Sequence, residues 1–364
     1  MITSIDASKE RSNRMTEDRI PVYEATVASP STNKGGVLKS TLTVNIGGNL
    51  SLRPNKAQPW RKNKVCIIDL DGQGNVLLTF GENPDQIENT IYDVLLNDLP
   101  AEDATISITD NLDVIPANDD MAFFELDVLT SMANKDILSG YDSLISLLRE
   151  ILGVIAELKK LATKSAADVL TRINDLEQKA QSYLNTLTRK IADSGVPIED
   201  IYSLLAKAIE PLKDKYDYII IDTPPQLGLI AGNVYNAAED ILIPFHPEKY
   251  SFRSMIKTIN TINSWKETNP DLRVKAIIPV KLKEKTITHS VFLDTSAQMI
   301  STADNQLGIT KTIIPESIKP AEAITKYNLP FTMVNEADIR TKKEREPIIA
   351  LKQVFDNLVD ELGY

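Results

Sequence analysis

Apolar residues follow two rhythms along this chain. Short unbroken runs recur at Val65–Ile68, Tyr218–Ile221 and Ile241–Ile243, and another strand is expected at Val274–Val280, where Lys275 and Pro279 interrupt the apolar residues. Runs of that length without alternation suit strands buried on both faces of a parallel sheet. Further strands are expected at Val22–Ala28, Leu112–Asn118 and Ile309–Pro315. Between them, steps of three and four residues predict helices over Ser40–Leu50, Asp119–Met132, Ile201–Lys215 and Tyr250–Trp265. A late helix is expected from Ala321, and an amphipathic closing helix over Glu346–Leu362. Strands alternating with helices predict an α/β fold with a doubly wound, mostly parallel sheet.

Residues 137–194 break this rhythm. They contain no proline, and their apolar residues sit at heptad spacing: Leu144, Leu148, Ile151, Ile155, Leu158, then Val169, Ile173, Leu176, Ala180, Tyr183, Leu187, Ile191. One helix over 141–193 would span about 80 Å at ~1.5 Å per residue, too far for the chain to rejoin the sheet at once. Two antiparallel helices turning near Thr163–Ala167 solve this, with Gly195 and Pro197 ending the second. The expected organisation is a polar extension over 1–20, an α/β domain made of 21–136 and 195–364, and an inserted α-helical hairpin over 137–194. The seam of the hairpin could close within one chain or between two.

Composition narrows the chemistry. One cysteine, Cys66, lies inside an apolar run and reads as a buried thiol; with two histidines in 364 residues, thiolate-cluster and histidine-rich metal sites are excluded. No run of about 18 apolar residues and no leader pattern occurs, so a cytoplasmic protein is expected. A net charge of −11 argues against coating of nucleic acid by bulk attraction, although phosphate contacts are made locally.

The candidate chemistry starts at Asn33-Lys34-Gly35-Gly36-Val37-Leu38-Lys39-Ser40-Thr41. A glycine-rich turn between a strand and a helix directs backbone N–H groups toward an anion, and the helix start adds positive potential. Residues Lys34 to Thr41 are therefore candidate nucleotide contacts, with Lys39 reaching the outer phosphates and Ser40 ligating Mg²⁺. The usual glycine before the lysine is replaced by Leu38, whose side chain must point away from the phosphates. Val65–Ile68 runs into Asp69-Leu70-Asp71-Gly72-Gln73-Gly74-Asn75, and Tyr218–Ile221 into Asp222-Thr223-Pro224-Pro225, which places carboxylates at strand ends where open α/β sheets bind ligands.

Lys34 with Gly35-Gly36 resembles the deviant Walker A motif of the ParA/MinD family of P-loop ATPases. The Asp69–Asn75 stretch is similar to the family's Walker A′ motif, with Gly72 in place of its proline. Asp222–Pro225, through Leu227-Gly228-Leu229, resembles its Walker B segment. Ile115-Pro116-Ala117, Ile243-Pro244, Ile314-Pro315 and Ala321-Glu322-Ala323 are similar to other family segments. The resemblance covers about 22–133 and 199–362. It implies an ATP- and Mg²⁺-dependent ATPase in which Lys39 acts in cis, Lys34 reaches a partner's nucleotide, Asp71 orients the attacking water, and Asp69, Asp71 and Asp222 join Ser40 at the metal, partly through water. It further implies a nucleotide-sandwich homodimer, a ParB-like or centromere-binding partner, non-specific DNA binding on the nucleoid, and partition of plasmid or chromosomal DNA. The DNA-binding candidates are Arg253, Lys257, Lys281, Lys283, Lys285, Arg340, Lys342, Lys343 and Arg345. The alternative is a positioning or scaffold ATPase of the same fold, with the hairpin as its partner-binding arm. The acidic closing helix, carrying Glu346, Asp356, Asp360 and Glu361, is unlike a basic membrane anchor, so no membrane partner is expected. A single cysteine excludes an iron–sulfur reductase, and the lone Tyr364 argues against a tyrosine kinase with a terminal tyrosine cluster.

Overall fold

The computed structural model describes residues 24–132, 142–161, 167–193, 201–225, 228–282 and 308–364. The expected extension over 1–20, the first residues of the expected opening strand, the hairpin turn at 162–166, Gly195, Pro197, Leu227, Lys283 and Lys285 lie outside them.

In chain order the main elements are β1 (Thr26–Pro30), α1 (Lys39–Leu52), β2 (Val65–Asp69), α2 (Asn75–Thr79), α3 (Ile91–Leu96), β3 (Ile106–Thr109), β4 (Leu112–Ile115), α4 (Phe124–Met132), α5 (Asp142–Leu161), α6 (Ala167–Asp193), α7 (Leu204–Ile209), β5 (Tyr218–Asp222), α8 (Leu229–Ala237), β6 (Asp240–Phe245), α9 (Lys249–Trp265), β7 (Arg273–Leu282), β8 (Ile314–Pro315), α10 (Lys319–Tyr327) and α11 (Lys342–Leu362). They build an eight-stranded sheet in the order β3-β4-β2-β5-β1-β6-β7-β8. All pairs are parallel except β3 with β4.

The central strands alternate between two cores. Val27, Cys66, Ile68, Ile219, Ile221, Ile241 and Ile243 face one core with α4, α8 and α9, whereas Ala28, Val65, Ile67, Ile220 and Leu242 face the other with α1, α10 and α11. Both faces are covered, which is why the strands read as continuous apolar runs. Gly47 and Gly48 bring α1 close to its neighbours: a Cβ on the first would lie 2.7 Å from Ile67 Cδ1, and one on the second 2.8 Å from Met333 Cγ.

Helices α5 and α6, the two arms expected of the insertion, pack on each other. Leu148, Leu152, Ala180, Leu184 and Leu187 are buried and continuous with the α4/α8 core, so part of the heptad seam closes against the α/β body. Leu147, Val154, Leu176 and Tyr183 stay exposed, spaced seven residues apart on each arm.

Some boundaries differ from expectation. β1 extends through Ser29-Pro30, where Ser29 and Pro30 sit in register with Ile241 and Leu242. Proline at a strand's last position costs little, since the next donor, Ser31 N–H, bonds the Leu242 carbonyl. β3 was not anticipated: a four-residue edge strand among polar residues carries little pattern. The helix over Ile201–Lys215 shortens to α7 and gives way to a 3₁₀ turn at Pro211. α11 begins at Lys342, four residues earlier than expected, with Pro347 inside it.

Candidate nucleotide site

The ends of β1, β2 and β5 meet at one edge of the sheet. The loop after β1 turns at Gly36 (φ 69°) and Leu38 (φ 65°), and α1 starts at Lys39. No atom lies within 4 Å of where a Gly36 Cβ would project, so the turn borders open space in front of the α1 N-terminus. Leu38 takes the left-handed conformation, which costs a non-glycine residue ~1–2 kcal/mol. Its half-buried side chain packs on the α1 core, which offsets roughly 1 kcal/mol of that. Leu38→Gly exchanges strain for lost packing and a freer unfolded chain, so stability changes by less than about 1 kcal/mol. Thermal melts and fluorescent-nucleotide titration check this, with affinity expected within about threefold of wild type. A tenfold loss of affinity would mean that the leucine locks the loop.

Lys39 is 8% exposed and its ammonium donates to the carbonyls of Lys34 (3.2 Å) and Thr32 (3.4 Å). Burial lowers its pKa, and the charges of Asp222 and Asp71 oppose that. Lys34 is held within its own chain, donating to Ser251 Oγ at 2.6 Å and Glu248 Oε2 at 3.3 Å, both at the start of α9.

Three carboxylates stand opposite the lysines. Asp69 and Asp222 are register partners on β2 and β5, and both are fully buried. Asp69 spends its oxygens on the turn, accepting the N–H of Asp71 at 2.9 Å and of Val76 at 3.1 Å. Burial, with Asp222 and Asp71 nearby, holds its carboxyl well above the usual range. Asp71 Oδ1 accepts the Gln73 N–H at 3.1 Å. Asp222 Oδ1 accepts from Thr43 Oγ1 at 3.1 Å, and the Ser40 hydroxyl also bonds the carboxylate. Asp222 Oδ2 is buried without a hydrogen-bond partner. Burial pushes the Asp222 carboxyl up to about 6, Asp71 adds to the rise, and Ser40, Thr43 and Lys39 oppose it.

An orphaned carboxylate oxygen beside a serine hydroxyl and a lysine fits a hydrated Mg²⁺ carried in with phosphates. Among the described residues no group of three His, Cys, Asp or Glu side chains forms a protein-only metal site. The donor set is thus one that a nucleotide would complete.

A family model described as AAA domain matches residues 25–152 and 178–274. The chain belongs to that family and is of the ParA/MinD type. The unmatched residues 153–177 run from within α5 to within α6. The chain is 25% identical over 312 residues to the ParA family protein MG470 of Mycoplasma genitalium, covering 83% of this chain and 88% of that one. It is 25% identical over 294 residues to the sporulation initiation inhibitor protein Soj of Bacillus subtilis, covering 80% and 84%. Among solved structures it is similar to cobyrinic acid a,c-diamide synthase of Mycobacterium smegmatis with bound ATP analogue and magnesium (TM-score 0.56, 20% identity, 92% and 94% covered). It is also similar to a putative plasmid partition protein of Borrelia burgdorferi bound to AMPPNP (TM-score 0.54, 19% identity, 92% and 100% covered). These structural likenesses establish a P-loop NTPase fold.

In this ParA/MinD-type chain, several side chains at the site have no place in the three motifs. Thr43 lies one helical turn beyond Ser40 on α1, a spacing that reveals it in hindsight. Glu248 and Ser251, which hold Lys34, come from α9, and no local pattern marks them. Asn33 Oδ1 accepts from Ser254 and from Thr258, so the same helix braces the start of the loop.

The described DNA-binding candidates do not form one patch. Arg253 and Lys257 are exposed on α9, which packs on the α4/α8 side of the sheet; Arg340, Lys342 and Lys343 are exposed at the start of α11, on the other side. Lys342 pairs with Glu346 at 3.4 Å. Arg345 is half-buried, donating to the Ile339 carbonyl at 2.6 Å, which suits a brace for α11. Lys281 is half-buried with φ 57°.

Proposed function

We propose that this protein binds ATP with Mg²⁺ at the phosphate loop, hydrolyses it, and uses the cycle of a ParA-type dimer to partition plasmid or chromosomal DNA with a ParB-like or centromere-binding partner, working on the nucleoid in the cytoplasm. The observation that carries the reading is the buried, unpartnered Asp222 oxygen beside Ser40 and Lys39. Lys34 to Thr41 would hold the phosphates, with Lys39 neutralising charge on them and Ser40 ligating the metal. Asp222, and Asp69 behind it, would hold the metal's water shell. Mg²⁺, when bound, supplies Lewis-acid stabilisation of the phosphoryl oxygens. Asp71, at the open end of the β2 turn, would orient the attacking water. Lys34 must leave Glu248 and Ser251 before it can reach a partner's nucleotide. The names of its relatives support the partition role.

The test uses purified protein. ATP turnover that needs Mg²⁺, a dimer formed with ATP, and ATP-dependent retention of duplex DNA that weakens with salt are expected. Turnover or dimerisation indifferent to ATP and Mg²⁺ would overturn the reading.

The exposed heptad stripe favours a second reading, the scaffold ATPase with the hairpin as a docking arm, because Leu147, Val154, Leu176 and Tyr183 leave an apolar strip on both helices. The combined substitution L147Q/L176Q/Y183S is expected to remove whatever self-association the nucleotide-free protein shows in sedimentation, with the ATP-dependent dimer and the melting little changed. Wild-type protein that is already monomeric leaves the stripe to a partner protein instead. Loss of DNA retention with turnover intact would favour the scaffold.

A further inference from the structure

Helix α6 borders the nucleotide edge, and its Gln181 bonds a buried carboxylate there. Gln181 Nε2 donates to Glu125 Oε2 at 2.6 Å. Glu125, the second residue of α4, is 8% exposed. Its Oε1 accepts the Ile230 N–H at 3.5 Å, and the carboxylate also takes the Leu229 N–H, so it caps the start of α8. Burial raises its pKa, while these hydrogen bonds favour the carboxylate form and oppose the rise. Gly228 completes the junction: a Cβ there would stand 2.0 Å from Glu125 Oε1 and 2.6 Å from Gln181 Nε2. Three helices, α4, α6 and α8, are thus tied at one carboxylate.

The junction stands beside the catalytic turns. Pro224 and Pro225 lie just ahead of α8, and a Cβ on Gly35 would touch Pro225 Cβ at 3.7 Å, so that turn abuts the phosphate loop. Between it and the hairpin is a cavity of about 300 Å³, bounded by Asp71, Gln73 and Pro225 on one side and Leu152, Ile155 and Leu184 on the other. Apolar packing is incomplete across this gap, and the Gln181–Glu125 bond bridges it.

We propose that Gln181 and Glu125 are positioning residues for hydrolysis. They fix the start of α8, and with it the Pro224-Pro225 turn, against the phosphate loop and Asp71, so that the seating of the inserted hairpin sets the turnover rate. This rests on the ATPase reading above.

Gln181→Leu keeps side-chain volume and helix propensity but leaves Glu125 facing a methyl group. Turnover is expected to fall about tenfold or more, the scale of one hydrogen bond to a charged group, with nucleotide affinity within about twofold of wild type. Gly228→Ala, which displaces the same carboxylate from the other side, should show the same split. The swap Q181E/E125Q restores a donor–acceptor pair in the reverse sense and should return turnover to within about twofold of wild type. In nucleotide-free protein, amides of 228–237 should exchange faster in Gln181→Leu. Unchanged turnover in Gln181→Leu, a matching loss of nucleotide affinity, or failure of the swap overturns the proposal. Wild-type turnover is measured first. Its absence strikes the ATPase reading alone, and amide exchange, which needs no nucleotide, then decides the tie: unchanged exchange overturns it.

Discussion

Asp71→Ala protein should hold ATP as tightly as wild type and fail to hydrolyse it, whereas Lys39→Ala should fail to hold it at all. The two residues stand at different depths of the site. Lys39 is buried among carbonyls of its own loop, with a depressed pKa caused first by burial. Triphosphate arriving there replaces weak carbonyl contacts with full charge pairing, so removing the ammonium costs binding itself, expected at more than tenfold in affinity. Asp71 is only half-buried, and its turn is held by Asp69 through the Asp71 and Val76 amides. Truncating it removes its own bond from the Gln73 N–H but keeps both Asp69 bonds that hold the turn. What is lost is the group that orients water, worth ~10²–10⁴ in rate. Turnover and equilibrium nucleotide affinity, measured on both variants, separate the roles. Hydrolysis by Asp71→Ala at the wild-type rate would remove Asp71 from the reaction.

Much of this site was legible because its parts are local in sequence. Lys34 to Ser40 sit in one turn, and Asp69, Asp71 and Asp222 end apolar runs that could only be buried strands. Leu38 could be read too: at the position before the lysine a backbone with φ near 65° needs explanation whatever residue is there. The rest depends on which distant elements come together. Glu248 and Ser251 hold Lys34 from more than 210 residues away in the chain. Glu125 looks like one more acid in the first turn of a helix until Gln181 and the α8 amides close round it. The hairpin was visible as heptads, but its inner seam was not. Leu152 and Leu184, which lie off the heptad positions, pack into the α/β core, while Leu147, Val154, Leu176 and Tyr183 face solvent. Heptad spacing gives the face of a helix and is silent on what that face meets. β3 escaped notice because an edge strand needs only a neighbour's open hydrogen bonds, not an apolar run.

The affinity for Mg²⁺-ATP should fall as pH drops from 7 to 5, and Asp222 is the reason. Burial raises its carboxyl to about 6 from an ordinary 3.8. For an acid raised on folding, the protonated form is the one the fold favours. Its contribution to stability is fully present below about pH 4 and is lost as pH rises through about 6. Asp69, buried beside it, shifts in the same direction. Nucleotide-free protein should therefore be more stable at pH 5 than at pH 7 by an amount this pair sets, about 1 kcal/mol of it from Asp222, because only the last pH unit below 6 lies in that window. A metal ion and its waters require the ionised carboxylate, so below about pH 6 each further pH unit removes up to tenfold in Mg²⁺-ATP affinity through this group. Asp222→Asn keeps the Thr43 bond through its amide oxygen but cannot titrate. It should bind Mg²⁺-ATP weakly at pH 7 and flatten the Asp222 part of both profiles. The phosphates of the nucleotide titrate in the same range, so the quantity to compare is the difference between wild type and Asp222→Asn at each pH, from melting curves without nucleotide and from titrations with it. Parallel profiles for the two proteins would show that Asp222 is already ionised in the empty site and that its lone oxygen is satisfied without the metal.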